Sequence, residues 1–293
     1  MPSHSRSSRR PEASDAAGSG AVPRQPKFLT ALPVFNEVRQ VEEVLDEVLR
    51  FTPHVLVVDD GSTDGTSRLL ADRLERQGDI RVVRHPHNRG YGAALATAFR
   101  ETLSGDFDGL VTIDCDGQHQ PRLIPAFIDA ATTGGAAGPP GAPLPDIVSG
   151  SRYLKVFDGD SRPPESRRRI NETITAEINA RLGLSLTDAF CGFKAYRVGA
   201  TRNLTLSVDG YDFPLQFWVQ AAANGLRVRE IPVRRIYKDL NRTFGGDLDD
   251  PERRLRVYRE TMHRELQRCR RRLSSAATRG LLAAISKQDA QDG

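Results

Sequence analysis

The sequence predicts an α/β protein in which helices cover both faces of a mostly parallel sheet. Short apolar runs alternate with segments of helical periodicity along most of the chain, as in parallel sheets joined by crossover helices. Four of the apolar runs end in polar clusters rich in Asp, Asn and Gly. Because ligands of such sheets bind beyond the carboxyl ends of the strands, these clusters predict the functional edge of the sheet.

The predicted strands are apolar runs bounded by turn residues. They cover Phe28–Val34, 54–59, 80–84, 110–113, 146–151, 192–197 and 228–233. Between them, helices are predicted where apolar residues recur three or four positions apart. They cover 38–48, the segment after the turn at 61–66, 93–103, the segment that Pro121 opens, Glu165–Leu182 and 214–224. A stretch rich in Gly and Pro at 133–145 is predicted to be a surface loop.

The chain is predicted to consist of one catalytic domain, residues 27–246, between two segments of different composition. Residues 1–26 are rich in Ser, Arg, Pro, Ala and Gly and contain no aromatic residue, which predicts a disordered tail. Residues 247–293 are predicted to form a basic amphipathic helix followed by a tail.

The terminal helix, predicted from 252 to 273, carries one apolar stripe opposite a face rich in arginine. The stripe consists of Leu255, Tyr258, Met262, Leu266, Cys269 and Leu273. Two interpretations are open. The stripe can pack on the rest of the protein, or it can lie on an anionic membrane surface. We favour packing because the stripe is narrow and lacks Trp and Phe.

Composition and charge exclude several classes of protein. The 38% of apolar and 27% of charged residues are those of a globular protein, and no apolar run is long enough to span a membrane. Residues 1–26 show no secretory signal. The three widely spaced cysteines indicate neither a disulfide framework nor a zinc site, so a cytoplasmic location is expected. The alternative is peripheral attachment to the inner face of the membrane. A net charge of +4 without aromatic interleaving does not indicate nucleic-acid binding.

The polar cluster after the fourth strand predicts a metal site. Asp114 and Asp116 flank a single residue, so both carboxylates can approach one hard cation, to which Gln118 can add a neutral oxygen. Such a cation would bridge the two phosphates of a nucleotide diphosphate and stabilise it as a leaving group. We therefore predict Mg²⁺ or Mn²⁺ as the cofactor.

The clusters after the second and third strands suit a nucleotide. Asp59 and Asp60 can accept hydrogen bonds from hydroxyl or ring N–H groups of ribose and base. Gly90 and Gly92 permit a close approach of the backbone to a ligand, at the start of a helix whose N-terminus attracts phosphate. The alternative for this glycine pair is close packing between a helix and a strand.

Taken in order, the clusters resemble the inverting family 2 glycosyltransferases with a GT-A fold, a Rossmann-like three-layer αβα architecture with a mixed sheet. Within that family the chain is similar to the branch of polyprenyl-phosphate (dolichyl-phosphate) hexosyltransferases. The similar segments are LPVFNE, VVDDGSTDGT, NRGYGAA, DCDGQH, GSRY at 150–153 and TDAFCGFKAYR at 187–197. The resemblance implies a nucleotide-sugar donor of the GDP-mannose or UDP-glucose type and a polyprenyl-phosphate acceptor.

The resemblance also implies roles for individual residues. Those expected to bind the donor are Pro33, Asn36, Glu37, Asp59, Asp60, Asn88, Gly90, Gly92 and Asp114. Asp116 and Arg152 are expected to act on the phosphates during catalysis. Gly192 and Phe193 are expected to shape the pocket for sugar and acceptor together with Asp188. A hydroxyl acceptor would need a general base, for which Asp188 is the first candidate and Asp212 the second.

Departures from the branch lie on the acceptor side. Gln216 stands where the branch usually has a glutamate, and the spacing around Arg242, expected to bind phosphate, is changed. A hydroxyl acceptor on a glycan or small molecule therefore stays open, as do a sugar-phosphate nucleotidyltransferase and a non-catalytic nucleotide-sugar-binding module. A dehydrogenase is excluded because no Gly-x-Gly-x-x-Gly follows the first strand. The sequence does not specify an oligomeric state.

Overall fold

The structure, a computed structural model, describes residues 24–135, 141–238 and 246–279. Predictions made for the first 23 residues, for Arg242 and for the tail beyond 279 lie outside the described residues. The strands of the described chain are β1 Phe28–Val34, β2 Val55–Asp59, β3 Arg81–Arg84, β4 Gly109–Thr112, β5 Ile147–Ser151, β6 Lys194–Arg197 and β7 Val228–Pro232.

These strands form one mixed sheet in the order β3-β2-β1-β4-β6-β5-β7. All neighbouring pairs are parallel except those of β6, which runs antiparallel to β4 and to β5. From β1 the chain moves to β2 and β3 on one side and then returns to β4 on the other. The strand order thus reverses between β1 and β4, and a crevice forms beyond their carboxyl ends.

Helices cover both faces of the sheet, as predicted. They are α1 Val41–Leu49, α2 Thr66–Gln77, α3 Tyr91–Ser104, α4 Ile124–Thr132, α5 Glu165–Leu182, α6 Val198–Thr201, α7 Phe213–Ala223, α8 Pro251–Cys269 and α9 Ser275–Thr278. Residues of α1, α2 and α4 form one buried apolar cluster with the sheet, and those of α3, α5, α7 and α8 form the other. The sheet is therefore the middle of three layers.

The stripe of the terminal helix packs inward. Tyr258, Met262 and Leu266 are at most 3% exposed and belong to the same core cluster as the buried residues of α7 and α5. The prediction that the stripe packs on the protein is confirmed, and the alternative that it lies on a membrane is wrong because its apolar surface is occupied. Among the described helices, none combines the length and the apolarity needed to cross a membrane.

Candidate active site

A cleft of about 910 Å³ opens at the carboxyl ends of β1, β2 and β4. Its size is that of a pocket for a cofactor-sized ligand. Ten predicted site residues line it: Pro33, Asn36, Glu37, Asp60, Asn88, Gly90, Asp114, Asp116, Gln118 and Arg152. Asp59, Gly92, Asp188, Gly192 and Phe193 do not.

Asn36 connects the loops that follow β1 and β2. It adopts a left-handed conformation with φ of 57°, which asparagine tolerates better than most residues. Its backbone N–H donates to Ser62 Oγ at 3.0 Å, and its side-chain Oδ1 accepts from the Thr63 N–H at 2.8 Å. The two loops therefore form one rigid wall of the cleft, and Glu37 lies in it beside Asn36.

The two adjacent aspartates at the end of β2 have side chains in different surroundings. Asp60 borders the cleft, where its carboxylate accepts from the Arg89 and Gly90 N–H groups at 3.0 and 2.7 Å and lies 2.6 Å from His85 Nδ1. Asp59 is fully buried and accepts from the Ser62 N–H and the Ser67 hydroxyl. The expectation that Asp59 binds the donor is wrong, because its side chain points into a turn and not into the cleft.

Gly90 and Gly92, at the start of α3, leave room for the backbone of residues 208–210. A Cβ at Gly92 would overlap the Val208 carbonyl, and one at Gly90 would overlap the Asp209 carbonyl. The Asp209 carbonyl also accepts the N–H groups of Gly92 and Ala93. Gly90 still lines the cleft, but the expectation that both glycines and the start of α3 receive a phosphate is wrong for Gly92, whose N–H is already satisfied.

Asp114 and Asp116 reach the cleft from the end of β4. Asp114 Oδ1 accepts from the Tyr91 hydroxyl at 2.9 Å, and Oδ2 lies 3.2 Å from His119 Nε2. Burial raises the pKa of Asp114, but the His119 and Tyr91 hydrogen bonds and the charges of His119 and Lys194 outweigh it, so the pKa is lowered. Asp114 is therefore held ionised and fixed in orientation, as a metal ligand has to be.

Gly192 and Phe193 lie beneath the cleft. A Cβ at Gly192 would overlap the Asp114 carboxylate, so the missing side chain makes room for that group. Phe193 is fully buried and stacks on Phe127 with ring centroids 4.1 Å apart. Phe193 fills the core and does not reach the cleft, whereas the expectation that Gly192 shapes the pocket stays a prediction.

Arg152 reaches the cleft, and Asp188 holds it there from below. The Arg152 Nε and Nη2 groups donate to the two Asp188 oxygens at 2.6 and 2.9 Å, and Asn171 donates to Asp188 at 2.8 Å. Burial raises the pKa of Asp188, but the charge and hydrogen bonds of Arg152 prevail and lower it to about 2. Asp188 is fully buried, so its expected role as general base is wrong and it positions Arg152 instead.

Asp212, the second candidate base, does not line the cleft either. Its carboxylate accepts from the Thr261 hydroxyl at 2.6 Å, which joins the start of α7 to α8.

The contacts of Gln216 account for the amide at the position where the family branch usually has a glutamate. Its Oε1 accepts from the Ser207 and Val208 N–H groups at 2.7 and 3.0 Å. Its Nε2 donates to Glu265 of α8 at 3.1 Å. Gln216 on α7 therefore has an amide where a carboxylate was expected, and the buried carboxylate in this region is that of Glu265 on α8.

Several residues that line the cleft were not predicted as site residues. They include Tyr91, Tyr153, Arg167, Asn171, Phe190, Tyr237, Lys238, Arg254 and Tyr258. Arg167 and Arg254 lie in helices dense with arginine, where their exposed neighbours, such as Arg169 and Arg253, look identical in sequence. Only the packing of α5 and α8 turns them toward the cleft.

Comparisons with known proteins agree with this geometry. Residues 30–205 match the sequence model of Glycosyl transferase family 2. The chain is 31% identical over 222 residues to the undecaprenyl-phosphate mannosyltransferase of Micrococcus luteus, covering 73% of this chain and 85% of that protein. It is also 31% identical over 221 residues to the polyprenol monophosphomannose synthase of Mycolicibacterium smegmatis, covering 73% and 79%.

Among solved structures, glucosyl-3-phosphoglycerate synthase from Mycobacterium tuberculosis in complex with phosphoglyceric acid is similar, with a TM-score of 0.58 and 20% identity. The likeness covers 83% of this chain and 80% of that one. It confirms the predicted three-layer fold of the GT-A type.

Proposed function

The chain belongs to glycosyl transferase family 2, and we propose that it transfers a hexose from a nucleoside-diphosphate sugar to a polyprenyl phosphate. The family membership predicted from the sequence is confirmed, and the protein is a glycosyltransferase. The names of the two relatives, a mannosyltransferase to undecaprenyl phosphate and a polyprenol monophosphomannose synthase, support this acceptor class. The donor we propose is of the GDP-mannose or UDP-glucose type.

The observation that carries the proposal is the ion pair between Arg152 and Asp188. A hydroxyl acceptor must lose its proton to a base, whereas an ionised phosphate oxygen attacks without one. Asp188 is fully buried and does not line the cleft, and both of its oxygens accept hydrogen bonds from Arg152 and Asn171, so it does not face an acceptor hydroxyl. Its place below Arg152 instead suits a reaction in which a guanidinium faces phosphate oxygens.

In the proposed reaction, an acceptor phosphate oxygen forms a bond to C1 of the sugar while the bond from C1 to the donor diphosphate breaks. The electron pair of the broken bond leaves with the nucleoside diphosphate, and attack from the opposite face inverts the configuration at C1. Arg152 orients an anionic oxygen in the cleft. Asn36, Glu37, Asp60 and Asn88 line the wall beyond β1 and β2, where we place the donor nucleotide.

The residues at the end of β4 fit Mg²⁺ or Mn²⁺. Two carboxylates and one amide, from Asp114, Asp116 and Gln118, line the cleft together. In the described part of the chain, no group of three or more His, Cys, Asp or Glu side chains is placed to hold a metal ion. An ion with few protein ligands that also takes water and diphosphate oxygens suits this set. Such an ion would neutralise the charge developing on the leaving diphosphate.

Donor binding tests the proposal. We expect GDP-mannose or UDP-glucose to raise the melting temperature of the wild type in the presence of Mn²⁺, because a ligand that binds only the native state stabilises it. EDTA or Asp116→Asn should abolish the shift. Asp158→Asn, at an exposed position away from the cleft, is the control and should retain it. Absence of a shift with every nucleotide sugar would contradict the proposal.

The proposed acceptor also implies a place of action. Because a polyprenyl phosphate resides in a bilayer, we propose that the protein works at the inner face of a membrane as a peripheral protein. Because the apolar stripe of α8 packs inward, it is not available to lie on the bilayer surface. Flotation of the full chain with vesicles that contain a polyprenyl phosphate tests this, and failure to float with them would contradict it.

A further inference from the structure

Charge is divided between two ends of the cleft. The five acidic residues of its lining all follow β1, β2 or β4: Glu37, Asp60, Asp64, Asp114 and Asp116. Two cations lie among these acidic residues, Arg39 after β1 and Lys238, whose Nζ lies beside Gly117. The lining from β5, α5 and α8 carries three arginines and no acidic residue: Arg152 after β5, Arg167 on α5 and Arg254 on α8. A metal and a donor diphosphate suit the acidic end, so the basic end is left for a second anion.

Arg254 is a buried cation in this wall. It is 3% exposed, four residues into α8, and lines the cleft. Burial lowers the pKa of Arg254, and the charge of Arg167 adds to that lowering, while Tyr258, Asp249 and Asp250 act in the opposite direction. Two guanidinium groups that line the same part of the cleft suit a doubly charged anion with several acceptor oxygens.

Arg254 is held in place by the anchoring of its helix. The N-terminal cap of α8 is Asp250, whose side chain accepts from the Arg253 N–H at 2.7 Å. Further along, Thr261 donates to Asp212, and Glu265 accepts from two glutamines of α7. The backbone that carries Arg254 is therefore fixed relative to α7, which lowers the entropic cost of binding an anion at this position.

An apolar surface adjoins the basic wall. Tyr258, one turn after Arg254, stacks on Phe190 with ring centroids 5.2 Å apart, and both rings line the cleft. A charged wall beside an aromatic pair suits a ligand with a phosphate head and a hydrocarbon chain.

We propose that Arg254, with Arg167, binds the phosphate of the acceptor, so that the C-terminal helix α8 forms part of the acceptor site. The assignment rests on the proposed function, because it takes the acceptor to be a polyprenyl phosphate. It goes beyond the family match, which ends at residue 205, well before α8 begins. The specificity for an anionic acceptor thus comes in part from a segment that the family match does not cover.

Calorimetric titration of the full chain with farnesyl phosphate, a short polyprenyl monophosphate, tests the assignment. Arg254→Gln should weaken binding at least tenfold, and Arg254→Lys at least threefold, because lysine keeps the charge but loses the planar fork. Arg256→Gln, at an exposed position of the same helix, is the matched control and should stay within twofold of the wild type. Binding of the donor's free nucleoside diphosphate with Mn²⁺ should be unchanged in all three variants.

The outcomes separate this inference from the proposed function. If the wild type binds farnesyl phosphate and Arg254→Gln binds it as tightly as Arg256→Gln, the role of Arg254 is refuted and the proposed function stands. If the wild type binds a nucleotide sugar but no farnesyl phosphate, the polyprenyl acceptor is refuted and this inference with it. Should Arg254→Gln fail to fold, Arg254→Lys decides, and wild-type affinity in that variant overturns the assignment.

Discussion

Replacing Asp188 with asparagine separates a positioning role from a catalytic one. The substitution preserves shape but removes the negative charge that two Arg152 groups contact at 2.6 and 2.9 Å. Arg152, whose side chain is 20% exposed, then loses a fully buried counter-ion. Breaking a buried pair costs roughly 3–5 kcal/mol, and the partial exposure of Arg152 places the expected cost at the lower end of that range. We therefore expect Asp188→Asn to lower the free energy of unfolding at neutral pH by about this amount.

The pH dependence of the free energy of unfolding gives a second, independent measure of the stabilisation by Asp188. The pKa of Asp188 falls from its usual 3.8 to about 2 in the folded protein. Because the folded pKa is depressed, the stabilisation is fully present above pH 3.8 and is lost as the pH falls toward 2. That difference corresponds to about 2 kcal/mol. The stability gap between wild type and Asp188→Asn should therefore narrow by about 2 kcal/mol between pH 5 and pH 2.

Urea unfolding followed by tryptophan fluorescence measures both quantities. The single tryptophan of the chain, Trp218, is fully buried, and its Nε1 donates to the Ala189 carbonyl at 2.9 Å, next to Asp188. The exposed Asp158→Asn serves as the control and should unfold like the wild type. If Asp188→Asn kept wild-type stability at every pH but lost all transfer activity, Asp188 would be a general base and the present reasoning would be refuted.

Three further substitutions test the packing around the cleft by thermal unfolding and donor titration. Gly92→Ala places a Cβ on the Val208 carbonyl and should destabilise the fold by roughly 1–3 kcal/mol. Gly199→Ala, where a Cβ meets nothing within 4 Å, is the control and should not destabilise it. Equal stability of the two variants would contradict the close packing of Gly92 against Val208. Glu265→Ala removes one of the two acceptors of each buried amide of Gln216 and Gln220 and should cost about 2–4 kcal/mol. A change under about 1 kcal/mol would refute the stabilising role of Glu265 between α7 and α8. Gly192→Ala displaces the Asp114 carboxylate and should weaken Mn²⁺-dependent donor binding more than tenfold. Unchanged affinity for the donor would contradict the role of Asp114 in metal-dependent binding.

The layered fold was predictable because its signals are local. Each central strand is an uninterrupted apolar run, and Val41, Val44, Leu45 and Val48 mark the buried face of α1 by spacing alone. The reversal of β6 was not readable from its own residues, since strand direction depends on which neighbours the chain reaches.

The candidate site was predictable where polar residues directly follow strands. Asn36, Asp60, Asp114 and Asp116 reached the cleft for that reason. Asp59 shows the limit of such reasoning, because alternation along a strand places it and Asp60 on different sides, and only Asp60 faces the cleft.

Of the three arginines on the basic side of the cleft, only Arg152 was predictable from the sequence. Arg167 and Arg254 line the cleft because α5 and α8 pack in one orientation on the sheet, and that orientation is set by the buried stripes of both helices. Arginine-rich helices give no internal sign of which guanidinium faces inward. Tertiary packing, and not composition, makes those residues part of the site.

Transfer of labelled hexose tests the central claim most directly. The full chain is incubated with Mn²⁺, labelled GDP-mannose or UDP-glucose, and either farnesyl phosphate or glycerol 3-phosphate, which offers hydroxyl groups beside a phosphate. We expect label on farnesyl phosphate in the organic phase, sensitive to mild acid and absent with Asp116→Asn. Label that appears only on glycerol 3-phosphate, or on neither acceptor while the donor binds, would contradict the claim.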